Sequence, residues 1–176
     1  MRGMDALGPR WGRIAAWGAG VFALDQVTKL LVLFALRLPD RGVIEVAPPF
    51  LVFRMAWNRG VNFGLLSSGS DAARWILIAV ALAICVLVLW WMRREARGIA
   101  LVSAGVLIGG ALGNVVDRLA YGAVADFLNM SCCGFENPYV FNVADIAIVA
   151  GAVGLALFSG GGGTRPPAGR DARAPR

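Results

Sequence analysis

The sequence predicts an all-α integral membrane protein of four transmembrane helices, with a small extracytoplasmic β-sheet cradle between spans one and two. Three observations predict it. Of the 176 residues, 58% are hydrophobic and only 16% charged, and a mean hydropathy of +0.67 is too apolar for a soluble domain of this length. Four runs, at about residues 14–36, 72–92, 98–117 and 140–159, approach the roughly 20 apolar residues that a helix needs to cross a bilayer. Arginines gather at alternate flanks of those runs, as expected where basic residues resist translocation.

Four crossings put both termini on one side. Arg2, Arg10 and Arg13 precede the first span, Arg93, Arg94 and Arg97 fill the tight loop between spans two and three, and Arg165, Arg170, Arg173 and Arg176 lie in the tail. These three segments are expected in the cytoplasm. Arg37, Arg41, Arg54, Arg59 and Arg74 fall on the other side, but they are spread over a long connection and partly offset by Asp40, Glu45 and Asp71. The net charge of +6 therefore points to anionic lipid headgroups, and not to nucleic acid, because the arginines flank membrane runs and form no aromatic-interleaved patch. The chain has no histidine, the commonest general base and metal ligand. Cys85 lies inside an apolar run, and the adjacent Cys132 and Cys133 lack metal-ligand spacing. No metal, cofactor or disulfide framework is expected.

Taken in order, the basic start and first apolar run look like a secretory signal. The run is too long for one and contains Asp25 and Lys29, so it reads as a retained span. Within the DQVTK motif, Asp25 and the chain's only lysine, Lys29, stand four residues apart on one helix face, acidic partner first. Such a pair either glues helices together or serves the site directly. Residues 38–70 leave the membrane without becoming strongly polar. Pro48 and Pro49 disfavour a helix, so the following FLVFRMAW suits a strand, with Trp57 and Phe63 as interfacial anchors of a small sheet. Span two has no charge between Arg74 and Arg93 and reads as a packing helix. In span three Gly105, Gly109 and Gly113 recur every four residues and let a neighbouring helix approach closely. Residues 1–160 read as one domain, and residues 161–176, made largely of Gly, Pro, Ala and Arg, as a disordered cytoplasmic tail.

The chemistry-bearing stretch is residues 109–127, GGALGNVVDRLAYGAVADF, which collects Asn114, Asp117, Arg118 and Asp126. Polar groups at the edge of a hydrocarbon phase are expensive, so a chain that keeps them uses them. A second patch, FNVAD, carries Asn142 and Asp145 at i and i+3. Span three runs outward and span four inward, so both patches belong to the outer face. Asp145 is expected about 8 Å below the entrance of span four. Gly122 can turn the chain so that residues 124–127 run back along the surface and bring Asp126 toward Asp145. Asp117 is expected to partner an arginine or cap the helix end.

Two aspartates close together in a partly desolvated pocket cannot comfortably both ionise, so one holds a proton while the other stays charged. The charged one can take a proton from water attacking a peptide carbonyl, and the protonated one can polarise that carbonyl and protonate the leaving nitrogen. Carboxylates in membranes also serve as proton relays. A proton-coupled transporter using Asp25, Asp117 and Asp145 is the competing class, and a structural scaffold a third.

The motifs DQVTK, Asn58-Arg59-Gly60 followed by Phe63-Gly64, GNVVDR at 113–118, GAVADF at 122–127 and FNVAD at 141–145 together resemble lipoprotein signal peptidase, or signal peptidase II. The resemblance runs in order over nearly the whole chain. It implies an aspartyl endopeptidase of the bacterial inner membrane that cuts prolipoproteins just before their diacylglyceryl-modified cysteine; a monomer without a cofactor is expected. It places the catalytic pair on Asp126 and Asp145. The family's other polar site positions fall on Asp25, Lys29, Asn58, Gly60, Asn114, Arg118, Asn142 and Ala144. Asn62 departs from the small residue usual before Phe-Gly.

Overall fold

The computed structural model describes residues 8–60, 71–95 and 97–159. The helix α1 (Pro9–Leu30) opens on a proline in its first turn, where the missing N–H breaks no hydrogen bond. Just past Lys29 it widens into a π-helical segment, Leu31–Ala35, a local irregularity often found beside functional sites. A single turn, α2 (Leu38–Arg41), then leads through Gly42 into β1 (Val43–Ala47). The strand β2 (Leu51–Asn58) runs antiparallel to β1, and after α3 (Asp71–Met92) and α4 (Gly98–Tyr121) the chain returns as β3 (Val124–Asn129) on the other edge of β2. The last helix is α5 (Val143–Phe158).

The centre of the bundle is α4, which packs against α1, α3 and α5. Its glycine stripe meets α1, as the sequence suggests: a Cβ on Gly105 would lie 2.6 Å from the Ile14 carbonyl oxygen. About two turns from the helix end, a Cβ on Gly113 would collide with the Asp25 carboxylate. That glycine therefore makes room for a buried charge as well as for a helix. On a different face, a Cβ on Gly110 would come within 2.6 Å of the Ala144 carbonyl oxygen, which brings the start of α5 down onto α4.

Three segments, Arg10–Ala35, Ala72–Met92 and Gly98–Tyr121, are long and apolar enough to cross a membrane. The fourth apolar run forms a shorter helix than the sequence suggests. Its 16 residues make about 24 Å of helix, whereas a bilayer core is about 30 Å thick. Residues 140–142 stay extended because Asn142 caps the helix and fixes its start at Val143. Residues 61–70, including Asn62, Phe63 and Gly64, and the tail from 160 onward lie outside the described residues.

The sheet is fixed to the bundle by a small apolar cluster. Val32, Leu38 and Phe127 are buried together, and the Phe53 and Phe127 rings meet edge to face at 5.8 Å, a favoured aromatic geometry. Trp57, expected to anchor the sheet, stacks at a tilt on Tyr121 with centroids 5.6 Å apart.

Candidate active site

Two local features bring the polar patches together. The helix α4 ends on Gly122 at φ +76, a left-handed position that suits glycine and reverses the chain into β3. The chain then loops back, and the Phe141 carbonyl accepts N–H bonds from Phe127 (3.0 Å) and Leu128 (2.8 Å), while the Phe141 N–H donates to Leu128 (3.0 Å). This short pairing sets Asn142 directly beside Asp126. Asn142 then caps α5: its Oδ1 accepts the Asp145 N–H (2.9 Å), and the Asp145 Oδ2 accepts the Asn142 N–H (3.1 Å). Asp145 thus lies in the first helical turn, and not about 8 Å below a span entrance, because the helix begins later than its apolar run. The i, i+3 relation with Asn142 is a capping box, and not a shared helix face.

A charge knot lies beside this junction. The Lys29 ammonium has three N–H donors and finds three acceptors: Asp25 Oδ2 at 2.8 Å, Asp117 Oδ2 at 2.8 Å and Asn114 Oδ1 at 3.2 Å. All four residues are buried. The i, i+4 pair read from the sequence is therefore present, and Asp117 joins it. Asp117 partners neither an arginine nor its own helix end; its Oδ2 also accepts the Ala125 N–H at 3.1 Å, tying α4 to β3 one residue before Asp126. Asp25 reaches the other way, its Oδ1 accepting the Ala144 N–H at 2.9 Å. That bond satisfies an otherwise unpaired donor in the first turn of α5. Gln26 donates to both Asp25 (3.1 Å) and Asp117 (3.3 Å). It was not singled out from the sequence, although a glutamine inside an apolar run beside an aspartate is a visible signal.

Asp126 and Asp145 are held by amides alone. Asn142 donates to Asp126 Oδ1 at 2.6 Å and Asn58 donates to Asp126 Oδ2 at 3.0 Å. Asn114 donates to Asp145 Oδ1 at 2.9 Å. Lys29 dictates the amide orientations. Its ammonium demands the oxygen of Asn114, which turns that side chain's NH₂ toward Asp145. The Asp145 N–H likewise demands the oxygen of Asn142, which turns the Asn142 NH₂ toward Asp126 and toward Asn114 Oδ1, the latter at 3.3 Å. One hydrogen-bonded chain therefore links Lys29 to both carboxylates.

Asp126 is almost fully buried, whereas Asp145 is half-buried. Burial, reinforced by the nearby charge of Asp145, pushes the Asp126 carboxyl up to about 6 against the opposing pull of the Asn58 and Asn142 donors and of Lys29. Arg118 donates to the Asn114 carbonyl at 3.2 Å and lies within electrostatic range of Asp145, Asp117 and Asp126. Among the described residues it forms no ion pair. The Gly60 N–H donates to Asn58 Oδ1 at 3.0 Å, a tight turn at φ +99 that leaves the Asn58 amide NH₂ aimed at Asp126. An apolar groove of about 430 Å³, lined by Phe141, Ile146, Val149 and Ala150, opens beside Asp145.

An apolar helical bundle that brings two unneutralised aspartates to the mouth of one helix is the architecture of a membrane-embedded aspartic peptidase. Comparison places the chain in one such family: residues 18–159 match the family model described as signal peptidase (SPase) II, and the chain belongs to that family. It is 47% identical over 137 residues to a lipoprotein signal peptidase of Methylorubrum extorquens (strain PA1), covering 78% of this chain and 79% of the relative. It is 44% identical over 140 residues to one from Methylobacterium sp. (strain 4-46), covering 80% and 84%. Two solved bacterial membrane enzyme structures, at 2.3 and 1.9 Å resolution, superpose with TM-scores of 0.68 and 0.70 at 27% and 26% identity. Each covers 83% of this chain, and 86% and 91% of the respective structures.

Proposed function

We propose that this protein removes signal peptides from bacterial prolipoproteins by hydrolysis just before the diacylglyceryl-modified cysteine, with Asp126 and Asp145 as its catalytic pair. The observation that carries the reading is the contrast in neutralisation. Asp25 and Asp117 share the Lys29 ammonium, whereas Asp126 and Asp145 face only amide donors, and Asp126 is raised to about 6. A proton shared by such a pair is available for chemistry.

Asp126, raised to about 6, is the partner that carries the proton into the reaction, and Asp145, the more exposed one, acts as base. Asp145 takes a proton from water as the water oxygen bonds to the carbonyl carbon, and Asp126 gives its proton to the carbonyl oxygen, leaving a tetrahedral diol. In collapse, Asp145 protonates the leaving nitrogen as the C–N bond breaks, and Asp126 recovers a proton from a diol hydroxyl, restoring the starting state. The Asn58 and Asn142 donors hold Asp126, Asn114 holds Asp145, and Arg118 lends positive potential to the developing charge. Asp25, Lys29, Gly60 and Ala144 shape the site through the contacts described above. The apolar groove beside Asp145 lets a lipid-anchored substrate approach from the bilayer.

The protein sits in the bacterial inner membrane as a monomer surrounded by lipid, and α5 completes a fourth crossing. Its short length is compatible with a bilayer thinned beside the site. Both termini and the arginine-rich α3–α4 turn face the cytoplasm, and the sheet and aspartates lie near the outer face. The arginine distribution supports this orientation; reporter fusions at Arg97 and Ser68 should report opposite sides. Catalysis is tested with purified Asp126→Asn and Asp145→Asn enzymes on a lipid-modified substrate. Either change should nearly abolish cleavage while preserving substrate binding, and the double variant should be hardly worse than a single one. Substantial cleavage by either single variant refutes the assignment.

A further inference from the structure

A polar pocket of about 400 Å³ opens against the sheet, apart from the catalytic pair. Val52 and Asn129, which pair across β2 and β3, belong to its lining. Asn129 stands three residues past Asp126 on one strand, so alternation turns it to the other face of the sheet. The chain between β3 and α5 supplies the opposite wall. There Cys132 pairs with Phe135 across a two-residue turn, which brings Glu136 back beside Ser131. The buried Asn129 amide donates to the Asn137 and Tyr139 carbonyls at 2.8 Å each, and the Ser131 hydroxyl accepts the Asn137 N–H at 3.1 Å. These bonds preform the wall.

Two opposite charges line this pocket without meeting. Arg54 comes from β2 and Glu136 from the wall, and neither side chain has a hydrogen-bond or ion-pair partner among the described residues. A pure anion that reaches Arg54 is repelled by Glu136, and a pure cation at Glu136 is repelled by Arg54. A ligand that carries both charges satisfies both residues. The surroundings point to where such a ligand resides. Pro49, Ser131, Glu136 and Pro138 line the pocket, and each has a large exposed apolar or aromatic neighbour in the chain: Phe50, Met130, Phe135 and Tyr139 respectively. A charged pocket therefore sits inside an apolar rim. Exposed apolar groups gathered around one spot mark an interaction surface, and aromatic rings at headgroup level are anchors at a membrane interface.

We propose that this pocket binds the headgroup of one zwitterionic phospholipid bearing a primary ammonium, with its phosphate on Arg54, its ammonium on Glu136 and its acyl chains over the apolar rim. The guanidinium fork matches a phosphate, and a primary ammonium offers three N–H donors to a carboxylate where a quaternary one offers none. Binding needs neither the catalytic aspartates nor a particular membrane orientation, so its failure leaves the peptidase reading intact.

The test is native mass spectrometry of the full chain in neutral detergent, with dioleoyl phosphatidylethanolamine, phosphatidylglycerol and phosphatidylcholine competing at equal concentration. Phosphatidylethanolamine should be retained in preference to both others. Glu136→Gln should remove its preference over phosphatidylglycerol, and Arg54→Gln should weaken its retention about fivefold. Phe135→Ser with Tyr139→Ser should weaken retention of the lipid while leaving the weaker binding of free phosphoethanolamine unchanged. Cleavage activity, expected unchanged in these variants, shows that each is folded. Equal retention of the three lipids, a preference that survives Glu136→Gln, or displacement of the lipid by equimolar free phosphoethanolamine would each overturn the proposal.

Discussion

The protein holds two pairs of aspartates linked by one chain of hydrogen bonds, and they are treated in opposite ways. Asp25 and Asp117 converge on Lys29, each at 2.8 Å. Asp126 and Asp145 receive hydrogen bonds only from neutral groups, and burial raises Asp126 to about 6. In the first pair both carboxylates are tied to one fixed ammonium and serve as structural links to the Ala125 and Ala144 amides. In the second the missing counter-charge leaves the proton mobile.

Breaking the neutralised pair should have the largest effect. Lys29→Met leaves two buried carboxylates facing each other and should cost about 3–5 kcal/mol, the usual cost of stranding a buried charge. It should also release the Asn114 amide, so cleavage should fall even in the folded fraction. Thermal denaturation alongside a cleavage assay reads both. Asp25→Asn should likewise lower folded yield together with activity; a fully stable but inactive Asp25→Asn protein would instead mark a direct role in substrate binding.

The second effect concerns the unneutralised pair. Asp126 binds its proton more tightly in the folded protein than in the unfolded chain, so the stability it contributes is present below pH ~4 and lost as pH rises through about 6. Relative to Asp126→Asn, the parent should lose up to about 3 kcal/mol between pH ~4 and pH ~7. Parallel melting curves across that range measure it, and parallel pH dependence in the two proteins would contradict the raised affinity.

Smaller still is Asn142→Ala, which removes the cap of α5 and one donor to Asp126. Loss of the cap should cost about 0.5–2 kcal/mol, with a larger proportional loss of cleavage. The smallest and sharpest change is Asn58→Ala. Asn58 donates to the charged form of Asp126, so its removal should move the alkaline limb of the cleavage profile to higher pH while barely altering stability. A shift to lower pH, or none, would mean that the limb belongs to another group.

The division between what the sequence revealed and what it did not follows from range. Periodicity and motif spacing fix local geometry, so the glycine stripe, the Asp25–Lys29 pair and the strand after Pro49 were all legible. The turn at Gly122 and the return of β3 also followed from one residue's backbone freedom. Asp117's partner was not legible, because an aspartate four residues before Tyr121 carries no mark of pairing with a lysine on another helix. Hydropathy placed the start of α5 too early, since apolar content does not register that Asn142 is a cap and that Phe141 pairs with β3. The amide orientations, which distinguish the two aspartate pairs, depend on contacts between four elements and lie beyond any single-segment reading.

The central claim is that Asp126 of the outer aspartate pair carries the titrating proton, and the most direct measurement is an infrared pH titration of the carboxyl stretching band in the purified protein. A protonated-carboxyl band should titrate near 6 in the parent, vanish in Asp126→Asn and persist in Asp117→Asn. A band that survives Asp126→Asn, or one lost with Asp117→Asn instead, would contradict the account.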